Sequence, residues 1–171
     1  LVLSKSLALG ITEWFKQNTY FNEPIKLFKQ FFNYPRIDIP PSEMTAVSIY
    51  TVNPDTKKYP KYEVGQVAIE VTFNLQKQRS DKAKQIYDTM EAIRGQLMNN
   101  PVYLQTYLQD YTPGLQWIQS QNTIETSKYR DSLLKREGSI TIPIYLDYRI
   151  GILSNQRALW ALGYDFYSTG T

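Results

Sequence analysis

The clearest pattern in the chain is an alternation of apolar and polar residues that runs from about Tyr62 to Gln76. Every second residue from Val67 to Leu75 is apolar, and most of the residues between them are polar. Successive side chains of a β-strand point to opposite faces, so this pattern predicts a two-faced strand. At the usual rise per residue it would span roughly 50 Å, and we expect its hairpin to extend beyond the domain body.

The spacing changes after residue 80, where apolar residues recur at every third or fourth position. This period predicts an amphipathic helix, for which Ser80 is a suitable N-cap. Asp88 and Glu91 lie off the apolar stripe, close enough to Lys84 and Arg94 for ion pairs on a solvated helix face. The stripe consists of Ala83, Ile86, Tyr87, Met90, Ile93 and Leu97.

Three more strands follow from similar patterns. One is predicted over residues 44–52, where it forms a hairpin with the long strand. Two others are predicted over residues 115–126 and in the stretch "GSITIPIYLDYRIG", after a short helix that begins at Pro101. Because Pro143 has no N–H to donate to a ladder, the last strand is expected at a sheet edge, at least at that residue.

The N-terminal region, residues 1–34, is predicted to be helical. The stripe of its first helix consists of Leu7, Ile11, Trp14 and Phe15. Asn22 is a suitable N-cap for a second helix, with Pro24 in the first turn of that helix. The proline-rich stretch "YPRIDIPPSE" cannot continue a helix, so a separate element must follow it.

This order of elements predicts an α+β fold. A single domain over residues 1–150 would contain the N-terminal helical region and, over residues 43–150, a four-stranded, mainly antiparallel sheet with helices packed on one face. Residues 151–171 would form an extended C-terminal arm. The uncovered face of the sheet would be polar without being heavily charged, as is typical of a wetted or partner-facing surface. Its expected members are Glu70, Thr72, Thr141 and Asp147.

The composition argues against catalysis. The chain has no cysteine and no histidine, which excludes disulfides and thiolate chemistry and removes most zinc sites and the commonest general base. Residues 132–135 match an S-x-x-K pattern, but the companion motifs of serine acyl-transferases are missing. We therefore expect no enzyme and no catalytic, cofactor or metal site. The apolar runs are also too short for a membrane span.

Basic residues are concentrated in three groups, at residues 57–61, 77–84 and 128–136, although the net charge is only +3. In an antiparallel sheet the second and third groups would lie at one end and the first at the other. These groups could contact acidic partners or a nucleic-acid backbone, or they could be ordinary exposed turns. Tyr59, Tyr62 and Tyr129 could stack on bases as in single-strand binders. The candidate basic contact residues are Lys57, Lys58, Lys61, Lys77, Arg79, Lys128 and Arg130.

The segment after Gly151 is rich in large apolar and aromatic side chains, which need a partner surface to leave water. It either folds back on its own helices or clasps a neighbouring subunit. The candidate subunit-interface residues are Trp160, Tyr164, Phe166 and Tyr167.

Over roughly residues 5–150 the chain resembles the tail terminator (tail-completion) proteins of long-tailed bacteriophages. The resemblance includes the leading helix, the hairpin opening "PPSEMTAVSIYTV" and the long strand "YEVGQVAIEVTFNLQ". It continues through the helix "SDKAKQIYDTMEAIRGQL" and the final strand "EGSITIPIYLDYRI".

The resemblance implies a structural protein of the virion, assembled in the host cytoplasm. Such proteins form a six-membered ring through head-to-tail contacts between copies. The ring would bind the last ring of tail tube protein, stop polymerisation and present a docking surface to the head–tail connector. DNA would pass through its lumen without sequence-specific binding, and a polar sheet face is compatible with that lumen. The alternatives are another neck or tail ring component, such as a tail tube subunit or a connector, and a small nucleic-acid-binding module.

Overall fold

The computed structural model describes residues 3–57, 62–75, 81–99, 101–120 and 138–151. They form an α+β structure with a five-stranded sheet and several helices. The elements are α1 (Leu3–Gln17), α2 (Thr19–Asn22), β1 (Gln30–Phe32), a 3-10 turn (Pro41–Glu43), β2 (Ala46–Lys57), β3 (Tyr62–Asn74), α3 (Asp81–Asn99), α4 (Pro101–Gln109), β4 (Leu115–Ser120) and β5 (Ser139–Gly151). The predicted cap at Ser80, the continuation of β4 and the C-terminal arm lie outside the described residues.

The sheet has the strand order β1-β2-β3-β5-β4, with β1 parallel to β2 and all other pairs antiparallel. The prediction of four strands is therefore wrong by one. The additional strand, β1, lies inside the region predicted to be helical, and it pairs Gln30 with Ala46 and Phe32 with Ser48. Because this partner strand lies sixteen residues further along the chain, the local apolar pattern did not indicate that residues 30–32 form a strand.

The long central strand agrees closely with its prediction. β3 pairs with β5 along its whole length, from Tyr62 opposite Gly151 to Asn74 opposite Ser139. It therefore lies within the sheet, whereas the tip of its hairpin with β2, residues 58–61, lies outside the described residues. β2 is longer than predicted because a bulge follows Val52, where Asn53 has a positive φ of 49° and pairing resumes at Asp55.

β5 is an internal strand where β4 pairs with it, over residues 146–150. The prediction of an edge strand is wrong over that part. Opposite Pro143, the described part of β4 has already ended, which agrees with the inability of proline to donate to a second ladder there.

The core lies between one face of the sheet and the helices. α1 contributes Leu7, Ile11, Trp14 and Phe15 as predicted. α3 contributes Ile86, Met90, Ile93 and Leu97, whereas Ala83 and Tyr87 are exposed, so the apolar stripe of α3 is narrower than predicted. The solvated side of α3 carries the expected ion pairs, Lys84–Asp88 at 2.9 Å and Arg94–Glu91 at 3.1 Å.

An aromatic cluster joins α1 to the chain that follows it. The ring of Phe15 is stacked on that of Phe21 at 5.3 Å and meets Phe28 edge to face at 5.9 Å. Asn18, and not Asn22, is the N-cap of α2, since its side-chain oxygen accepts from the backbone N–H of Tyr20. Asn22 instead donates to the carbonyl oxygens of Phe15 and Asn18. The predicted helix beginning at Asn22 is therefore wrong.

Candidate assembly surfaces

The outer face of the sheet is the face directed away from the helices, formed by the residues of β2, β3 and β5 that alternate with the core positions. The described helices pack on the opposite, inner face. At one corner the connector before β2 packs on the outer face, where Ile39 and Met44 contact Ala46. The four residues predicted for this face, Glu70, Thr72, Thr141 and Asp147, all occupy outer-face positions in the observed register.

Hydrogen bonds between neighbouring strands join two pairs of polar side chains on the outer face. The hydroxyl oxygens of Thr72 and Thr141 lie 3.0 Å apart, and Gln66 Nε2 donates to Asp147 Oδ1 at 3.0 Å. Both are directly opposite pairs of β3 and β5. Such cross-strand pairs fix the side chains before any partner arrives.

Glu70 and Arg149 differ from these pairs because the side chain of neither makes a hydrogen bond or an ion pair with another described residue. Burial raises the pKa of the half-buried Glu70 carboxyl. The Arg149 guanidinium lies 3.9 Å from the centre of the Tyr62 ring, and its Nε is buried without a hydrogen-bond partner. Sequence reasoning overlooked Arg149, although it continues the period of Tyr145 and Asp147 along β5.

A second surface lies on the helix layer. Tyr103, Tyr107 and Tyr111 follow one another at one-turn spacing, with ring centres 6.5 and 5.7 Å apart. We call these three residues the tyrosine ridge. Tyr103 is 59% exposed. The pKa of the Tyr107 phenol is raised, mainly by partial burial and to a smaller extent by the hydrogen bond with Tyr111.

The tyrosine ridge is supported by α1. Tyr107 Oη donates to Gln17 Oε1 at 3.4 Å, and the hydroxyls of Ser6 and Thr112 lie 2.9 Å apart. At Gly10 the two segments approach so closely that a Cβ would lie 2.9 Å from the ring of Tyr111. The ridge is therefore held by contacts at several points along α1. Its i, i+4 tyrosine spacing was visible in the sequence but was not interpreted there.

Of the basic candidates predicted from the sequence, Lys57 is described. It lies at the exposed end of β2, 2.6 Å from Asp55, whose hydrogen bond raises the pKa of the Lys57 amine. β3 ends opposite the start of β5. The segment after β3, with the second basic group, and the segment before β5, with the third, therefore join the sheet at the end opposite Lys57. The other basic candidates and all the candidate subunit-interface residues lie outside the described residues. They are Lys58, Lys61, Lys77, Arg79, Lys128 and Arg130, and Trp160, Tyr164, Phe166 and Tyr167.

Two further features concern the described residues as a whole. They contain no group of three or more acidic side chains placed to hold a metal ion. None of the described helices combines the length and the apolar character that crossing a lipid bilayer requires.

No model of a known protein family matches the sequence. A search of curated proteins finds no match either.

Proposed function

We propose that the chain is a structural virion protein that forms a ring at the head-proximal end of a phage tail. The ring would cap polymerisation of the tail tube and provide the docking surface for the head–tail connector. The observation that supports this best is that the described residues form two surfaces of different chemistry on the two layers, the outer face of the sheet and the tyrosine ridge. A head-to-tail ring uses two different surfaces of each subunit, and the sequence resemblance indicates the same kind of assembly.

The tyrosine ridge is the proposed contact with a neighbouring subunit. Tyrosine is enriched at protein interfaces because it combines a large apolar ring with a hydroxyl that can stay hydrogen-bonded. The ridge is held from behind by α1, through the contacts of Gln17 and Gly10. Little side-chain entropy would then be lost when a neighbour binds.

The outer face is the proposed lining of the lumen. Its threonine pair and its glutamine–aspartate pair are satisfied within the subunit. Glu70 and Arg149 have opposite charges, so they add no net charge to the face. Tight binding of a nucleic-acid backbone needs many uncompensated cations, and a face of this composition would let DNA pass without holding it.

Within this proposal the protein has no catalytic role and belongs to the neck of the virion, after assembly in the host cytoplasm. Its partners are copies of itself, the tail tube protein and the head–tail connector. The alternative identities are another ring of the neck or tail and, from a different class, a small nucleic-acid-binding module.

Negative-stain imaging and mass photometry, with and without cognate tail tubes, test the proposal. We expect rings in solution or on tube ends, and tubes that stop growing once the protein is added. Incorporation along the tube wall would instead identify a tube subunit. A protein that leaves tube ends bare and binds oligonucleotides with a steep salt dependence would contradict the proposal and favour the nucleic-acid module.

A further inference from the structure

The outer face carries two charges of opposite sign that find no counter-charge within the described chain. Glu70 is half-buried, and burial without a compensating cation raises the pKa of its carboxyl. The Arg149 guanidinium lies over the Tyr62 ring, and its buried Nε has no hydrogen-bond acceptor among the described residues. Half-buried charges are costly unless they are paired, so both side chains would gain from a charged partner.

The register of the sheet fixes how these two charges are separated. Glu70 lies opposite Pro143, and Arg149 lies six residues further along β5 on the same face. Six residues of strand correspond to about 20 Å. The two charges are therefore too far apart to pair within one chain.

Among the described residues between the two charges, the Asp147 carboxylate also carries a charge, and it is hydrogen-bonded within the chain. Tyr50 and Tyr145 flank Ala68, and Gln66 donates to Asp147. The other charged pair on this face, Asp55 and Lys57, is satisfied internally at 2.6 Å. A partner laid along the strands would therefore also meet the Asp147 carboxylate, two residues from Arg149 on the same face.

We propose that two copies of this chain pair through their outer faces, related by a two-fold axis, so that Glu70 of each copy meets Arg149 of the other. In a two-fold contact, residue i meets residue j while j meets i, and two opposite charges on one face satisfy that rule. Turning one sheet by 180° about an axis across the strands exchanges the two ends of the face. Both charges are then paired in one step.

The size of the face is compatible with a weak pair. Three strands and ten residues of strand length give about 14 Å by 33 Å, or roughly 470 Å² per copy. Standard protein interfaces bury about 800 Å² per partner, and most crystal contacts bury less than about 400 Å² per partner. A weak dimer follows, with the tyrosine pair Tyr50 and Tyr145 near its centre.

This inference goes beyond the proposed function and does not depend on it. A pair of this kind covers the face that we assign to the lumen, so the dimer and the ring would be alternative states of the same chain. The dimer would be the form of the protein before a tail tube is present.

Sedimentation equilibrium of the full chain tests the pairing directly. We expect a monomer–dimer equilibrium for the natural chain. Glu70→Arg and Arg149→Glu should each weaken it at least about tenfold, because both contacts of the pair become repulsive. An equimolar mixture of the two variants should regain dimers. In a mixed pair, the new arginine at position 70 of one copy faces the new glutamate at position 149 of the other, and the second contact keeps its natural Glu70 and Arg149. The double variant should also dimerise.

Matched controls are available on α3, away from the outer face. Lys84→Glu and Asp88→Arg make the same charge changes at an exposed ion pair and should leave the equilibrium unchanged. Circular dichroism and thermal melting establish that each variant is folded, and Glu70→Gln provides a milder change if Glu70→Arg is not. A natural chain that stays monomeric, an equilibrium insensitive to both reversals, or a mixture that stays monomeric would each overturn the inference.

Capping of tail tubes is scored separately on the same variants. Charge-sensitive dimers without capping would refute the proposed function and leave the pairing intact. Tube capping together with association that does not respond to the charge reversals would support the proposed function and refute the pairing.

Discussion

Tyr148 donates a hydrogen bond from its phenol oxygen to Oε2 of Glu63 at 2.8 Å, although the tyrosine itself is 0% exposed. The residue opposite Tyr148 on β3 is Gly65. A Cβ at that glycine would lie 2.8 Å from the same phenol oxygen. The glycine thus provides the space in which a buried tyrosine reaches a carboxylate on the neighbouring strand.

Replacing Tyr148 with phenylalanine should destabilise the fold by about 1.5–3 kcal/mol, the usual contribution of a hydrogen bond to a charged group. Urea denaturation of the two proteins measures the difference. Tyr145→Phe is the control, because its hydroxyl, on the outer face, has no hydrogen bond with the described residues; it should change stability by less than about 0.5 kcal/mol. Equal losses for the two variants would show that the Glu63 bond contributes nothing.

Two helical glycines should respond to alanine in opposite directions. At Gly10 the new Cβ would meet the Tyr111 ring at 2.9 Å and Leu108 at 3.0 Å, whereas at Gly95 nothing lies within 4 Å. Gly10→Ala should therefore cost about 1–3 kcal/mol through overpacking. Gly95→Ala should stabilise α3 by about 0.5–1 kcal/mol, because alanine is the better helix former. Thermal or urea unfolding measures both, and a Gly10→Ala variant as stable as the natural chain would contradict the close α1–α4 contact.

Glu70 should make stability fall as the pH rises above the ordinary carboxyl range. Burial raises the pKa of Glu70 in the folded state, and its cross-strand neighbours Ser48 and Pro143 carry no charge. Between the ordinary pKa and the raised one, the unfolded chain has lost its proton while the folded chain still holds it. Stability therefore decreases through this window and stays lower above it.

The measurement is the free energy of unfolding of the natural chain minus that of Glu70→Gln, taken across pH in urea at concentrations where the chain is monomeric. We expect this difference to become less favourable to the natural chain as the pH rises, and to level off once Glu70 is ionised in both states. A difference that rises with pH would mean that the folded state stabilises the Glu70 carboxylate.

Tyr103→Ala should weaken ring assembly if the tyrosine ridge contacts a neighbouring subunit. Central aromatic residues of an interface often contribute about 2 kcal/mol or more, so the concentration needed to cap tail tubes should rise more than about tenfold. Tyr87→Ala on α3 is the control, because Tyr87 is similarly exposed, at 51%, and lies outside the ridge. Equal capping by both variants would assign the ridge no role in the ring.

The sequence was most informative where one period runs over many residues. The prediction of a strand from Tyr62 to Gln76 differs from β3 by two residues, and the helix expected after residue 80 is α3. Both elements contribute to one core over much of their length, β3 from Val67 and α3 from Ile86, so burial imposes a regular pattern on them. The same reasoning failed at β1, where three residues pair with a strand far along the chain. The aromatic residues around β1 pack into a cluster that has neither a helical nor a strand period.

The candidate surfaces could be predicted only in part. Alternation placed Glu70, Thr72, Thr141 and Asp147 on one face, because a period of two assigns faces without knowledge of the neighbours. The lack of partners for Glu70 and Arg149 depends on which residues lie beside them. That follows from the pairing of β3 with β5, which no local pattern determines.

The short edge strand has a consequence for how this protein can aggregate. β1 covers β2 over the three residues Ala46–Ser48, and further along β2 the bulge brings Asn53 with a positive φ and Pro54, which has no N–H. An incoming strand could not form a continuous ladder along that edge. Open-ended, amyloid-like growth is therefore disfavoured along the β2 edge, and copies that meet there at high concentration would have to join mainly through side chains.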